Sequence, residues 1–326
     1  MKPWYEGPCT EAAEALEAIR TANAHPCARV HAASCPELSA MLMQGALDPA
    51  VRMAASASWD YLLEVTAPAL GAMHRAGIPV WAWKGFDFAR TLYPSPWMRP
   101  MRDADLLVTR RDFDGAVNSF VSAGWEEVAP GRPLITSGLV GGVVLSMGRV
   151  SVDLHSSPLH FPATLPGRLP GDLLEGGRAI APGLLAPSFR HSLLLCVMHL
   201  LSHRPPRQIW WVDCALLADR LDARDWRAFS FDAVRTGLGR EMGAALLAAR
   251  EGMGARVPPG VISALSSVRS RGRLFGLTGL RGGMATLAAL VCSRGWRKTS
   301  FAAALAYRLA RGLPAAAPVR RKATDD

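Results

Sequence analysis

Among the six cysteines of this 326-residue chain (Cys9, Cys27, Cys35, Cys196, Cys214 and Cys292) there is no Cys-x-x-Cys pair. That excludes the zinc-ribbon spacing, and their scatter argues against a disulfide framework, so reduced thiols are expected. Cys27, His31 and Cys35 have helix-like spacing, but no fourth ligand lies nearby, and Pro26 and Pro36 interrupt them. No stretch of 18 uninterrupted apolar residues occurs, so no spanning helix is predicted. The opening residues Met1 to Pro8 lack the apolar region of a secretory signal, which makes the cytoplasm the expected compartment. No Glu follows His199 in the His199-x-x-x-His203 pair, so the zinc-protease signature is missing. Acidic residues are scarce at one end: from Val261 onward twelve Lys or Arg face only Asp325 and Asp326, whereas the first 260 residues balance at 25 of each sign. The body is neutral and the tail is basic, which suggests an acidic partner or membrane surface for the tail. The tail's few aromatics (Phe275, Trp296, Phe301, Tyr307) disfavour single-strand tracking. With half its residues apolar, the chain can bury a sizeable core.

What is present is a Lys-Gly turn in Trp83-Lys84-Gly85, then Leu92-Tyr93-Pro94, then Arg99-Pro100-Met101-Arg102-Asp103-Ala104-Asp105-Leu106-Leu107-Val108. Strand side chains alternate with period two, so Asp103 and Asp105 share one face. Two carboxylates on one face form a hard, all-oxygen site suited to Mg²⁺, which commonly carries nucleotide phosphates. Val150-Ser151-Val152-Asp153-Leu154-His155 supplies a third carboxylate, with Val152 and Leu154 facing away from Asp153, Ser151 and His155. Three carboxylates on neighbouring strands can hold two metal ions about 3.5–4 Å apart, the arrangement of in-line nucleotidyl transfer.

Each flanking residue has a plain and a functional reading. Lys84 is a surface lysine or a point charge on a triphosphate. Gly85 suits close phosphate approach because it has no Cβ. Arg99 and Arg102 are solvated loop arginines or triphosphate contacts, with Arg102 also a counter-charge to the carboxylates. His155 satisfies a strand-end hydrogen bond, or binds substrate or deprotonates an acceptor hydroxyl. His199 and His203 share a helix face, and packing toward the cleft is favoured over metal ligation. Trp210 and Trp211 belong to the core or stack a base. Asp213 is read as a structural hydrogen-bond partner of a tryptophan or arginine.

Lys84-Gly85, Leu92-Tyr93-Pro94, Arg99-Pro100-Met101, Asp103-Ala104-Asp105-Leu106-Leu107-Val108 and Val152-Asp153-Leu154-His155 together resemble the uncharacterised nucleotidyltransferase family of the DNA polymerase beta superfamily. The resemblance covers roughly residues 60–220. It implies a nucleotidyltransferase core with Asp103, Asp105 and Asp153 as metal carboxylates and Gly85 in the turn facing the phosphates. It also implies a helical second half with a His-containing helix and a Trp-x-x-Asp element, matched by His199, His203 and Trp210-Trp211-Val212-Asp213. Phe86 departs from the superfamily's Gly or Ser, and Arg102 from the small residue usual before the first Asp.

The elements predict an α+β fold: a small mixed-sheet core with N-terminal helices and a C-terminal helical domain. The expected division is an N-terminal helical segment at 1–76, an α/β core at 77–165, and a Pro/Gly-rich irregular connector at 166–187. A C-terminal helical domain with its basic tail follows at 188–313, then a frayed end at 314–326. Strands are expected at 78–83, 105–108, 125–128, 139–145 and 149–154, and one long helix at 225–250. The expected activity is metal-dependent transfer of an NMP from an NTP to an unidentified hydroxyl or amine, with two Mg²⁺ or Mn²⁺ ions and release of pyrophosphate. Catalysis and metal binding fall to Asp103, Asp105 and Asp153, and nucleotide binding to Lys84, Gly85, Arg99 and His155. The acceptor is expected to be a small molecule, peptide or protein ahead of nucleic acid. A non-catalytic nucleotide- or partner-binding module, which Phe86 and Arg102 favour, and a metal-dependent phosphohydrolase are the alternatives.

Overall fold

The computed structural model describes residues 8, 10–21, 49–99, 101, 103–128, 141–159, 165, 167–203 and 206–269. The Cys27/His31/Cys35 group, Arg102, most of the basic tail and the terminal segment therefore lie outside the described residues. The chain begins with α1 (Thr10–Thr21) and α2 (Pro49–Arg75), followed by β1 (Val80–Ala82) and α3 (Lys84–Thr91). Next come β2 (Asp103–Val108), α4 (Phe113–Ser122), β3 (Glu126–Glu127), β4 (Gly142–Met147) and β5 (Val150–His155). β6 (Arg178–Ala181) and β7 (Leu184–Ala186) precede five helices: α5 (Phe189–Ser202), α6 (Gln208–Ala218), α7 (Ala223–Arg235), α8 (Gly239–Met253) and α9 (Pro259–Ser266). The α+β expectation holds, with one mixed seven-stranded sheet in the order β3-β4-β5-β2-β1-β7-β6.

The alternation of β2 and β5 fixes the sheet's two faces. Ala104, Leu106, Val108, Val152 and Leu154 are buried with Leu62, Ala69 and Met73 of α2 and Phe113, Val117 and Phe120 of α4. The other face carries Trp81, Trp83 and Leu107, which pack on Leu173 and on Leu195 of α5. β2 and β5 run parallel with Asp105 opposite Asp153 and Asp103 opposite Ser151. A one-residue slip of either strand would turn its carboxylates into the apolar core, where an unpaired polar group costs several kcal/mol. The hydrophobic pattern thus pins the register that brings the carboxylates together.

A second core joins α5 to α9, and α1 packs into it through Ala12, Ala15, Leu16 and Ile19. Arg20 fastens α1 there, donating from Nε and Nη2 to Asp219 at 2.9 and 2.8 Å. The 1–76 segment thus contributes to both cores, α1 to the helical one and α2 to the sheet.

Two local expectations change. The stretch at 166–187, expected to be irregular, supplies β6 and β7, and β7 pairs parallel with β1. Its prolines lie outside the strands: Pro182 and Gly183 (φ +70°) form the turn between them, and Pro187 follows β7. The expected helix at 225–250 is two helices, because Gly237 (φ +76°) adopts the left-handed conformation that ends α7. Among the described residues, no helix is long and apolar enough to cross a membrane.

Candidate active site

The site starts at the β1–α3 turn. Trp83 is extended, and Lys84 then takes φ +49°, the one positive φ outside glycine among the described residues. A side chain in this region costs about 1–2 kcal/mol, and such strain concentrates where the surroundings enforce it. Here the turn is held to β2: the Trp83 amide donates to the Asp105 carbonyl at 3.2 Å, and Lys84 Nζ donates to Asp105 Oδ1 at 2.6 Å. Lys84 Nζ also lies 4.2 Å from the centre of the Trp83 ring.

Asp105 is the hub. Its Oδ1 faces His155 Nε2 at 3.2 Å as well as Lys84. A carboxylate acceptor places the imidazole proton on Nε2, and Nδ1 is buried with no hydrogen-bond partner. The Trp83 indole packs edge-on to His155 at 5.2 Å. Burial would raise the Asp105 pKa, but the Lys84 charge and the His155 hydrogen bond outweigh it and hold the carboxyl at about 2. Its neighbours move the other way. Burial and then the charges of Asp105 and Asp103 lift Asp153 to about 7, and burial and then Asp105 raise Asp103. Burial lowers the His155 pKa, so the ring is neutral at pH 7. Neither the Asp103 nor the Asp153 carboxylate has a hydrogen bond or ion pair among the described residues. The strands thus concentrate more negative charge than Lys84 alone offsets.

Ligand atoms of Asp105, Asp153 and His155 lie within 4.8 Å of one another, and Asp103 shares their sheet face. Carboxylate oxygens suit Mg²⁺ and Mn²⁺, and an imidazole nitrogen is more typical of the later transition metals. The donor set fits a divalent cation on the aspartates, with His155 beside them.

Gly85 and Arg99 are joined in a different way from that expected. A Cβ at Gly85 would run into Nη1 of Arg99. Arg99 is itself anchored on Asp213 of α6, with Nε at 3.0 Å from Oδ1 and Nη2 at 2.7 Å from Oδ2. Tyr93 Oη donates to Asp213 Oδ1 at 2.7 Å, and burial followed by Asp213 keeps that phenol protonated. Arg99, expected at the triphosphate, is thus a buried link between the loop before β2 and the helical half. Its charge is felt at Asp103. Asp213 meets the arginine expected of it, 114 residues away.

The helical half brings His199, His203 and Trp210 together, with ring centroids 4.4–4.8 Å apart. Trp211 is fully buried in the helical core. The two histidine rings pack on each other and on Trp210, and no described acid or cysteine joins them in a group of three metal-ligating side chains. Arg207 and Trp83 were not singled out by sequence reasoning. Arg207 lies near enough to Asp103 for its charge to lower that carboxyl's pKa, and Trp83 sits under Lys84 and against His155. The only sequence signal for Trp83 was its place before the Lys-Gly turn, and for Arg207 there was none.

Comparison with known proteins gives a family and a structural likeness. A family model described as uncharacterised nucleotidyltransferase matches residues 8–254. Comparison with curated proteins finds no match. Among solved structures, the solution structure of the antibiotic-resistance factor ANT(2'')-Ia is similar at 15% identity, covering 59% of this chain and 98% of that one, with a TM-score of 0.39.

Proposed function

We propose, because this chain belongs to the uncharacterised nucleotidyltransferase family, that it moves a nucleoside monophosphate from an NTP to a hydroxyl or amine acceptor and releases pyrophosphate. Asp103, Asp105 and Asp153 are the proposed ligands of two Mg²⁺ ions, with Mn²⁺ as a substitute. The observation that carries this reading is the in-register pairing of Asp105 with Asp153, which gathers their ligand atoms and that of His155 within 4.8 Å. Cations bound there would supply Lewis acidity at the α-phosphate and help activate the acceptor.

The chain's own residues supply orientation and charge. Lys84 is poised on Asp105 and, released from it, would donate to a phosphate oxygen. Gly85 leaves the turn without a Cβ, and Arg99 holds a positive charge beneath it. His155, neutral and donating from Nε2, fixes the orientation of Asp105. In this reading the 77–165 core carries the chemistry, and α5 and α6 border it through Leu195 and Asp213. A small molecule, peptide or protein is the proposed acceptor class.

The test is pyrophosphate release from each NTP with Mg²⁺ or Mn²⁺, with a cell extract as acceptor source. Wild type releases pyrophosphate, and Asp103→Asn and Asp105→Asn reduce it at least about hundredfold, the usual loss when one electrostatic stabiliser is removed. Equal release by the variants would sink the reading.

A further inference from the structure

The three rings of the helical half form one cluster. His199 is in the last turn of α5, His203 directly follows that helix, and Trp210 is in the first turn of α6. They pack edge to face or tilted, and all three are half-buried. No ring nitrogen of the three has a hydrogen-bond partner among the described residues. Arg207 also approaches Trp210, at 5.9 Å from the ring centre.

Two observations set these rings at the site. α6 is tied by Asp213 to Arg99, whose Nη1 lies against Gly85 in the Lys84 turn. The Lys84 charge is felt at both histidines, and the Arg207 charge at both His203 and Asp103. Burial, then Lys84, keeps both imidazoles uncharged at neutral pH. The result is a neutral aromatic corner with open donors and acceptors on its edges, next to a lysine suited to phosphate. A nucleobase has the matching chemistry: a flat face to stack and a polar edge to read.

We propose that Trp210 and His203, backed by His199, form the wall on which the base of the NTP stacks. The wall rests on the nucleotidyl-transfer reading, because it takes the base of a triphosphate held at Lys84 and the aspartates.

The test is equilibrium binding by calorimetry, with the full chain and Mg²⁺. Its ligands are ATP, GTP, CTP, UTP and inorganic tripolyphosphate. Wild type is compared with Trp210→Leu, His203→Ala and Asp105→Asn. The expected result is that Trp210→Leu and His203→Ala weaken NTP binding by about five- to hundredfold, the range of one lost base–aromatic stack. Tripolyphosphate binding stays unchanged in both, and Asp105→Asn weakens both ligand types. If NTP affinity is unchanged in the wall variants while Asp105→Asn still lowers it, the wall is wrong and the nucleotidyl-transfer reading stands. If wild type binds neither NTP nor tripolyphosphate, both fall. Should Trp210→Leu fail to fold, His203→Ala carries the test, because this half-exposed side chain has no hydrogen bond among the described residues to lose.

Discussion

Asp213, in the middle of α6, accepts from both Nε and Nη2 of Arg99, in the loop before β2, and neither side chain is more than 6% exposed. This buried pair joins the helical half to the carboxylate strand. Removing one partner of such a pair leaves an uncompensated buried charge and costs about 3–5 kcal/mol. Asp213→Ala is therefore expected to lower the thermal midpoint sharply. Tyr93→Phe, which removes one hydrogen bond to the same carboxylate, should cost about 1.5–3 kcal/mol. Thermal unfolding checks the order, and an unchanged midpoint in Asp213→Ala would contradict it.

Gly85→Ala places a Cβ against the Arg99 guanidinium. The long arginine side chain cannot swing aside cheaply, because Asp213 holds its other edge. The expected cost is about 1–3 kcal/mol of stability, with NTP binding weakened as the Lys84 turn shifts. The double variant Gly85→Ala/Arg99→Ala should recover part of the strain, read as non-additivity in the unfolding free energies.

Lys84→Met removes the cation on Asp105 while keeping the length of the side chain. The carboxylate cluster then repels itself more strongly, so its stability should depend more on added cation. The expected outcome is a larger rise in thermal midpoint on adding Mg²⁺ or Mn²⁺ than wild type shows, together with weaker NTP binding. Equal shifts in the two proteins would mean that Lys84 does not offset the cluster.

His191 gives a pH dependence away from the site. It is 1% exposed, accepts from Arg190 at 2.7 Å, and lies 3.5 and 3.9 Å from Asp172 and Asp232. Burial, then Arg190, pushes its pKa down from 6.5 to about 4. The unfolded chain therefore binds more protons than the folded one between about pH 4 and 6.5, and stability falls as pH drops through that window. The loss attributable to His191 is up to about 3 kcal/mol at about 1.4 kcal/mol per pKa unit. His191→Gln should flatten the pH profile of denaturant unfolding between pH 4 and 6.5, whatever its effect at pH 7.

Much of this architecture could be read directly from the chain. The alternation around Asp103, Asp105 and Asp153 foretold one shared face, because apolar neighbours leave a strand carboxylate only one side to occupy. The boundary of α5 at Ser202 followed from helical periodicity and the break after it. β6 and β7 were hidden because Pro182, Gly183 and Pro187 dominate the local composition, while the strands form by pairing with β1, far away in sequence. Arg99 was ambiguous for a similar reason. Its partner lies 114 residues away, and a loop arginine carries no local sign of burial. Nothing in the sequence distinguished Arg207 from other basic residues, because its relation to Asp103 exists only once α6 is docked.

The most direct measurement is the fate of two labels in one reaction, with NTP carrying phosphorus-32 at either the α or the γ position. With Mg²⁺ and the extract fraction that supports turnover, the α label should pass to an acceptor and the γ label should leave in pyrophosphate. Both events should be lost in Asp105→Asn. Appearance of the γ label as inorganic phosphate, with no α label on any acceptor, would contradict nucleotidyl transfer and make the carboxylates those of a hydrolase.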